Sequence, residues 1–268
     1  MEKGSSLSTH DLAAHEVTGA VITGMAQDYA SGSLVPMHEH RRSQLLCTMT
    51  GVLRVDTPQA CWVVPPSRAL WLGPGVPHRL RMRSATRVRC VFVDGRRAGG
   101  LPQRDGVLPV SPLLQALVDE LARLGLQAEH SRRGRLLAAL LREELAVPQE
   151  PAFQLPWPAG DSRIEQVCLA LTSGQAPWER QAAQWAERLA MSLKTFQRHF
   201  QRQTGMSFGQ WRLRARLLAS LDGLVAGQPI LPLALACGYE SHSAYTYAFR
   251  RHFGVAPKGL DGQARAPR

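Results

Sequence analysis

From Val17 to Val93 the chain runs in short apolar stretches broken by Gly and Pro. This pattern predicts strands over Ala20–Met25, Gln44–Val55, Ala60–Val64, Ala69–Leu72, His78–Arg83 and Arg87–Val93, and strands this short with regular turn signals predict a sandwich or barrel. In the fifth of them His78, Leu80 and Met82 alternate with Arg79, Arg81 and Arg83. The arginines must face water, so His78 faces inward.

Beyond residue 105 the apolar period lengthens to that of a helix. Ser111 reads as an N-cap with Pro112 at the first helical position, and Leu114, Leu117, Val118, Leu121 and Leu124 share one face up to Gly125. Arg132–Val147 repeats the pattern through Leu136, Leu137, Leu140, Leu141, Glu144 and Leu145. Such stripes ordinarily pack on a barrel wall. Here they exceed what a small barrel needs to cover, and a homodimer seam is the sharper expectation. Val147–Gly160 then carries four prolines and no period, which predicts an extended linker.

The remainder is helical and contains one unit twice. Ser192–Gly205 reads as a helix with a serine cap and a glycine stop, Leu193, Phe196 and Phe200 on its apolar face and Lys194, Thr195, Gln197, Arg198, Gln201 and Arg202 outward. Shifted by 49 residues it meets Ser241–Gly254, with Phe196 on Tyr245, Phe200 on Phe249 and Arg202 on Arg251. A short helix precedes each copy, Arg180–Leu189 with Trp185 inward and Pro232–Cys237. Helix, tight turn and capped helix is the helix-turn-helix plan. Between the units, Ser207–Ala226 is expected as one long helix with Phe208, Trp211, Leu218, Leu221 and Val225 packed and Arg212, Arg214 and Arg216 exposed.

Charge sharpens this picture. The net charge of +11 favours a polyanionic partner, and from Asp161 onward 14 Lys+Arg stand against 7 Asp+Glu, compared with 18 against 14 before it. A capped helix with a basic outer face is by itself an ordinary surface helix. Its repetition in the more basic part of the chain is what points to double-stranded DNA. No apolar run is long enough for a membrane span and no export signal opens the chain, so a cytoplasmic protein is expected. The five cysteines (Cys47, Cys61, Cys90, Cys168, Cys237) are widely spaced and expected as buried thiols.

One further cluster stands apart. His38, His40 and Gln44 are separated by two and four residues and would point the same way along an extended strand, with His78 joining from across the barrel. Three imidazoles and an amide suit a divalent transition metal, zinc or nickel, or a polar effector. Gly32, His38, His40 and Gly51 resemble the first cupin motif and Pro74-Gly75-Val76-Pro77-His78 the second. Gln44 stands where that motif has Glu, which removes the anionic ligand. Ser67, Gly73 and Met82 also depart from the second motif. No general base or nucleophile arrangement is visible, and a non-enzyme is expected.

Residues 161–260 resemble the DNA-binding domain of AraC/XylS-family regulators. The resemblance rests on Trp185-Ala-Glu-Arg-Leu-Ala-Met-Ser192, Phe196-Gln-Arg-His-Phe-Gln-Arg-Gln-Thr-Gly205, Ala236-Cys-Gly-Tyr-Glu-Ser241 and Phe249-Arg-Arg-His-Phe-Gly254. It implies a bacterial regulator, activators included, that binds direct half-sites, contacts RNA polymerase and senses a small-molecule effector in the N-terminal half. Base-reading positions carried over by it are Lys194, Thr195, Gln197 and Arg198 in the first unit and His242, Ser243, Thr246 and Tyr247 in the second. Arg202, Arg212, Arg250 and Arg251 are the candidates for phosphate contacts.

The expected fold is α+β with two domains, a cupin-like β-barrel plus helices followed by an all-α domain with two helix-turn-helix units. The expected bounds are 1–105 for the barrel, 106–147 for a helical connector, 148–160 for the linker and 161–268 for the DNA-binding domain. The rival reading is a cupin metalloenzyme with a helical appendage, which leaves the repeat without a purpose. A general nucleic-acid coating protein is disfavoured because the aromatics pack inward.

Overall fold

The computed structural model describes residues 14–97, 100–147, 149–158 and 160–260, so of the polar stretch over residues 1–16 only the last three are among them. Contacts gather the described residues into two compact units, one from residues up to 55 with 62–151, the other from 56–61 with 152–260.

The N-terminal unit holds two sheets. The first has the order β1 (Ile22–Tyr29), β8 (Thr86–Val93), β3 (Ser43–Thr50), β6 (Arg68–Leu72), β9 (Gly106–Pro109). The second contains β5 (Ala60–Val64), β4 (Leu53–Asp56), β7 (His78–Met82) and β2 (Leu34–His38) in that order. The strands depart from the expected ones, β2 among them. The stretch expected as one strand over Gln44–Val55 is two, because Gly51 at φ +75° turns the chain out of the first sheet and into the second. A Cβ at Gly51 would meet the Ala85 carbonyl oxygen at 2.5 Å, so the turn requires glycine sterically as well as conformationally. The region expected as a purely helical connector opens with β9, which pairs with β6.

The first sheet packs one apolar face on helices. Ile22, Leu45, Cys47, Trp71, Val91 and Val93 pack on Leu114, Val118 and Leu121 of α1 (Pro112–Leu124) and on Ala138 and Leu141 of α2 (Arg132–Glu144). The Ile, Leu and Val side chains among them each contribute about 1.5–3 kcal/mol when fully buried. Gly24 allows α1 to sit this close, since a Cβ there would lie 2.3 Å from the Leu121 carbonyl. Ser111 caps α1 by accepting from Leu114 N at 3.0 Å, and its hydroxyl donates to Glu144 at the end of α2. That bond accounts for a carboxylate within a leucine stripe. The stripe itself divides: Leu141 and Leu145 are buried, whereas Leu136 is 56% and Leu140 46% exposed.

In the C-terminal unit α3 (Ser162–Thr172) precedes two matched pairs, α4 (Ala182–Arg188) with α5 (Leu193–Thr204), and α8 (Ile230–Ala236) with α9 (His242–Phe253). The helix expected over Ser207–Ala226 is broken into α6 (Phe208–Ala219) and α7 (Leu221–Val225) at Ser220. A short helix α10 (Pro257–Leu260) follows α9.

The stretch expected as an extended linker is partly core. Phe153 and Leu155 are buried, Phe153 rests on Phe253 with ring centroids 5.0 Å apart, and Trp211 Nε1 donates to Pro156 O at 2.8 Å. Aromatic and branched residues between the prolines thus drive packing that the proline count alone conceals.

Candidate DNA-reading surface and histidine cluster

Both repeat helices begin and end as their sequences require. Ser192 accepts from Thr195 N at 3.1 Å and Ser241 from Ala244 N at 3.1 Å, while Gly205 and Gly254 close the helices at φ +70° and +74°. Phe196 and Phe200 are wholly buried against Phe208 and Trp211 at the start of α6. Their counterparts Tyr245 and Phe249 are equally buried, and Tyr245 lies against Tyr239. Leu193 departs from the expected apolar face and is 43% exposed.

What these buried stripes leave outward is the candidate surface. On α5 Lys194, Gln197, Arg198 and Arg202 are exposed, and no side-chain partner is described for them. Thr195 points less freely, its hydroxyl 2.9 Å from that of Ser192. On α9 His242, Ser243, Tyr247, Arg250 and Arg251 are exposed, Tyr247 to 67%, and Thr246 is half-buried.

The α6 arginines are not the exposed group the periodicity suggested. Arg212 donates to Arg180 O at 2.7 Å and lies over Phe208, and burial lowers its pKa. Arg214 donates to Gln154 O at 3.1 Å. Arg216 donates to Cys237 O at 2.5 Å and to Gly238 O while stacking on Tyr239, so it clamps the turn between α8 and α9. The carbonyls they satisfy belong to turns and to the 152–157 segment, which helical periodicity does not reveal.

The histidines do converge, although not from one strand. β2 ends at His38, the chain bends through Glu39–Arg42, and β3 starts at Ser43. The rings of His38 and His78 lie 4.4 Å apart, His38 and His40 4.9 Å, and His40 and His78 5.3 Å. Candidate ligand atoms from all three fall within 4.8 Å of one another. Gln44 occupies the same inner face through its cross-strand neighbour Phe92, which touches His40, but its side chain reaches Cys90 and its Oε1 has no hydrogen-bond partner.

Each ring has its other nitrogen engaged. Nδ1 of His38 faces Pro36 O at 2.8 Å, Nδ1 of His78 faces Val76 O at 2.8 Å, and Nδ1 of His40 lies 2.9 Å from Glu16 Oε1. The carbonyl acceptors at Nδ1 of His38 and His78 favour the hydrogen there and leave their Nε2 lone pairs free to bind a ligand. Nε2 of His40 and of His78 are buried without a partner. Burial first, then the neighbouring imidazoles, pushes the pKa of His40 down to about 4. Burial does the same at His78, to about 4, against the opposing Val76 hydrogen bond. Three grouped imidazoles, two of them with buried Nε2 atoms that lack a partner, fit a divalent transition ion. Glu16 places a carboxylate beside His40 Nδ1, outside the group of candidate ligand atoms, so the anionic ligand that Gln44 replaces is not restored. Glu16 was missed because the polar segment around it carries no motif.

All five cysteines are buried, and none of them is in a disulfide. Among the described residues no helix is long and apolar enough to cross a membrane.

Paired, capped helices presenting basic outer faces, joined to a β-sheet unit with an inward polar cluster, define a two-domain DNA-binding regulator. Residues 185–262 match the model of a helix-turn-helix domain and residues 20–146 that of the AraC-like ligand binding domain. The chain is 31% identical over 223 residues to the HTH-type transcriptional regulator NimR of Escherichia coli, covering 83% of this chain and 80% of that protein. It is 33% identical over 107 residues to the HTH-type transcriptional regulator RipA of Corynebacterium glutamicum, covering 40% of this chain and 31% of the other. Among solved structures, fatty-acid-bound ToxT of Vibrio cholerae aligns over 93% of this chain and 99% of that one, at 11% identity and a TM-score of 0.36. The chain belongs to the AraC-type family of helix-turn-helix transcriptional regulators. It is a DNA-binding transcription regulator with a ligand-binding N-terminal domain, and the family is one of regulators, not enzymes.

Proposed function

We propose that α5 and α9 read successive major grooves of double-stranded DNA and that a small-molecule effector in the N-terminal unit controls this binding. The observation that carries the reading is the outer face of α5, where Lys194, Gln197 and Arg198 stand exposed on a helix whose opposite face is fixed by Phe196 and Phe200. Guanidinium and amide groups held on a rigid helix suit base edges in the major groove. Thr195 is placed at the same helix start, with its hydroxyl shared by the cap. His242, Ser243, Thr246 and Tyr247 form the second, less charged reader. Arg202, Arg250 and Arg251 neutralise phosphates, and Arg212 acts instead by holding the Arg180 turn.

His38, His40 and His78 hold a divalent transition ion, zinc or nickel, with Glu16 orienting His40. The ion supplies a fixed positive charge beside the effector. Gln44 lines the same interior. Leu136 and Leu140, with Leu113 of α1, form a homodimer seam, and the DNA-bound form contacts RNA polymerase. Control follows if the effector favours one arrangement of the two units energetically.

Selection of DNA fragments by the purified protein, followed by gel-shift titration of the best fragment against scrambled DNA, tests the reading. A preference of about 10³-fold or more is expected for a specific regulator. Equal retention of scrambled DNA would refute it.

A further inference from the structure

The mouth of the N-terminal unit, beside the histidine cluster, contains a cavity of about 550 Å³ lined by Arg41, Arg42, Arg96, Glu16, Asp94 and Pro74. A second cavity of about 370 Å³ shares Glu16 and Arg41 with it and reaches His40. The charges in this mouth are unevenly spent. Arg42 is buried and donates to His15 O at 2.9 Å and to Ala20 O and Val21 O at 2.6 Å each. Glu16 is taken by His40 through one oxygen and by Arg41 N, at 2.8 Å, through the other. Asp94 accepts from Arg96 N at 3.1 Å. Both acids also offset the buried charge of Arg42.

That leaves the guanidinium groups of Arg41 and Arg96. Both line the cavity, both are exposed, and neither has a described side-chain partner. Two planar forks without a protein acceptor match a carboxylate better than a neutral ligand, since charge-assisted pairs of this kind are roughly twice as strong as neutral hydrogen bonds. The space far exceeds one inorganic anion, and Pro74 gives it an apolar wall.

We infer that this mouth binds a small organic carboxylate, held by Arg41 and Arg96 with its remainder directed towards His40. The inference rests on the reading that the N-terminal unit holds the effector, and it names the effector's chemical class.

Calorimetric titration of the full-length protein with acetate, butyrate and benzoate, each beside its neutral amide, and with inorganic phosphate tests it. At least one carboxylate should saturate a single site and its amide should bind at least ~10-fold more weakly. Arg41→Gln and Arg96→Gln should each weaken that carboxylate by about 10-fold, whereas Arg123→Gln, on the exposed side of α1, should not. The acid-against-amide comparison uses only the unmodified protein and stands even if a variant fails to fold.

Binding of none of the three acids, equal binding of an amide, or phosphate binding as tight as the best carboxylate overturns the inference. The same carboxylate added to a gel shift separates the two readings. Saturable binding with unchanged DNA affinity keeps the carboxylate site and refutes its role as effector site. DNA affinity that responds to a neutral compound while no acid binds refutes the carboxylate site alone.

Discussion

The hydroxyl groups of Ser220 and Tyr245 lie 2.8 Å apart with both side chains fully buried. Ser220 sits at the break between α6 and α7, and Tyr245 is the polar counterpart of Phe196 in the repeat, so one bond fastens the second reading helix to the central helix. Ser220 also donates to Leu217 O at 2.6 Å. Tyr245→Phe leaves that second bond intact and should cost about 1 kcal/mol. Ser220→Ala strands a buried phenol and should cost more, up to about 3 kcal/mol. Urea unfolding of both variants checks the order; a larger loss for Tyr245→Phe would contradict it.

On α5 two arginines one turn apart should behave differently. Arg198→Ala is expected to weaken DNA binding by about 1–3 kcal/mol and to relax preference at one base position. Arg202→Ala should weaken all sequences alike and reduce the slope of log K against log salt by about 1. Salt-dependent gel shifts on the selected site and single-base variants distinguish the two. Identical behaviour would mean that the roles are misassigned.

For the histidine cluster, elemental analysis of purified protein should find one zinc or nickel per chain. His78→Ala should abolish it, because it removes one of three candidate ligands whose atoms lie within 4.8 Å of one another. Glu16→Gln should bind the ion about 10- to 100-fold more weakly, as expected when a carboxylate orienting a ligating histidine is neutralised. Metal content that is nil, or unchanged in His78→Ala, would show that the rings form an interior polar cluster.

His252 gives the C-terminal unit a pH dependence. Its pKa is lowered by burial, with Arg214 adding to the effect and the Ala152 carbonyl opposing it. The unfolded chain therefore takes up this proton first, and stability falls as pH drops below the ordinary imidazole value of 6.5. His252→Gln should flatten the difference in melting temperature between about pH 7 and about pH 5. An unchanged slope would place the pH dependence elsewhere.

Ala190 turns the chain between α4 and α5 at φ +52°, the place Gly238 takes at φ +72° in the second unit. Ala190→Gly relieves a left-handed strain of about 1 kcal/mol and adds unfolded-state entropy, so a gain of roughly 0.5 kcal/mol should remain. A lower melting temperature for this variant would rule the strain out.

The elements with strong local signals were legible in the sequence. Serine caps at Ser111, Ser192 and Ser241 and glycine stops at Gly205 and Gly254 fixed helix ends because each satisfies backbone groups within four residues. The inward turn of His78 followed from its arginine neighbours. Features that depend on distant partners were not legible. Glu16 approaches His40 across 24 residues of chain, and Arg212, Arg214 and Arg216 satisfy carbonyls on other segments. Nor does helical period separate Leu141, which the sheet covers, from Leu140, which it does not. The leucines are alike in sequence and differ only in what lies opposite.

Phe153 and Leu155 fill a slot among the C-terminal helices, with Trp211 and Arg214 bonded to the backbone on either side. The proline-rich stretch is therefore a poor place to cut. A fragment beginning at residue 161 would carry off neither side chain and would open an aromatic-lined trough along Trp211 and Phe253, inviting self-association. One beginning at Ala152 keeps both, and leaves out of the C-terminal unit only residues 56–61, whose Gln59 carbonyl accepts from Trp157 N.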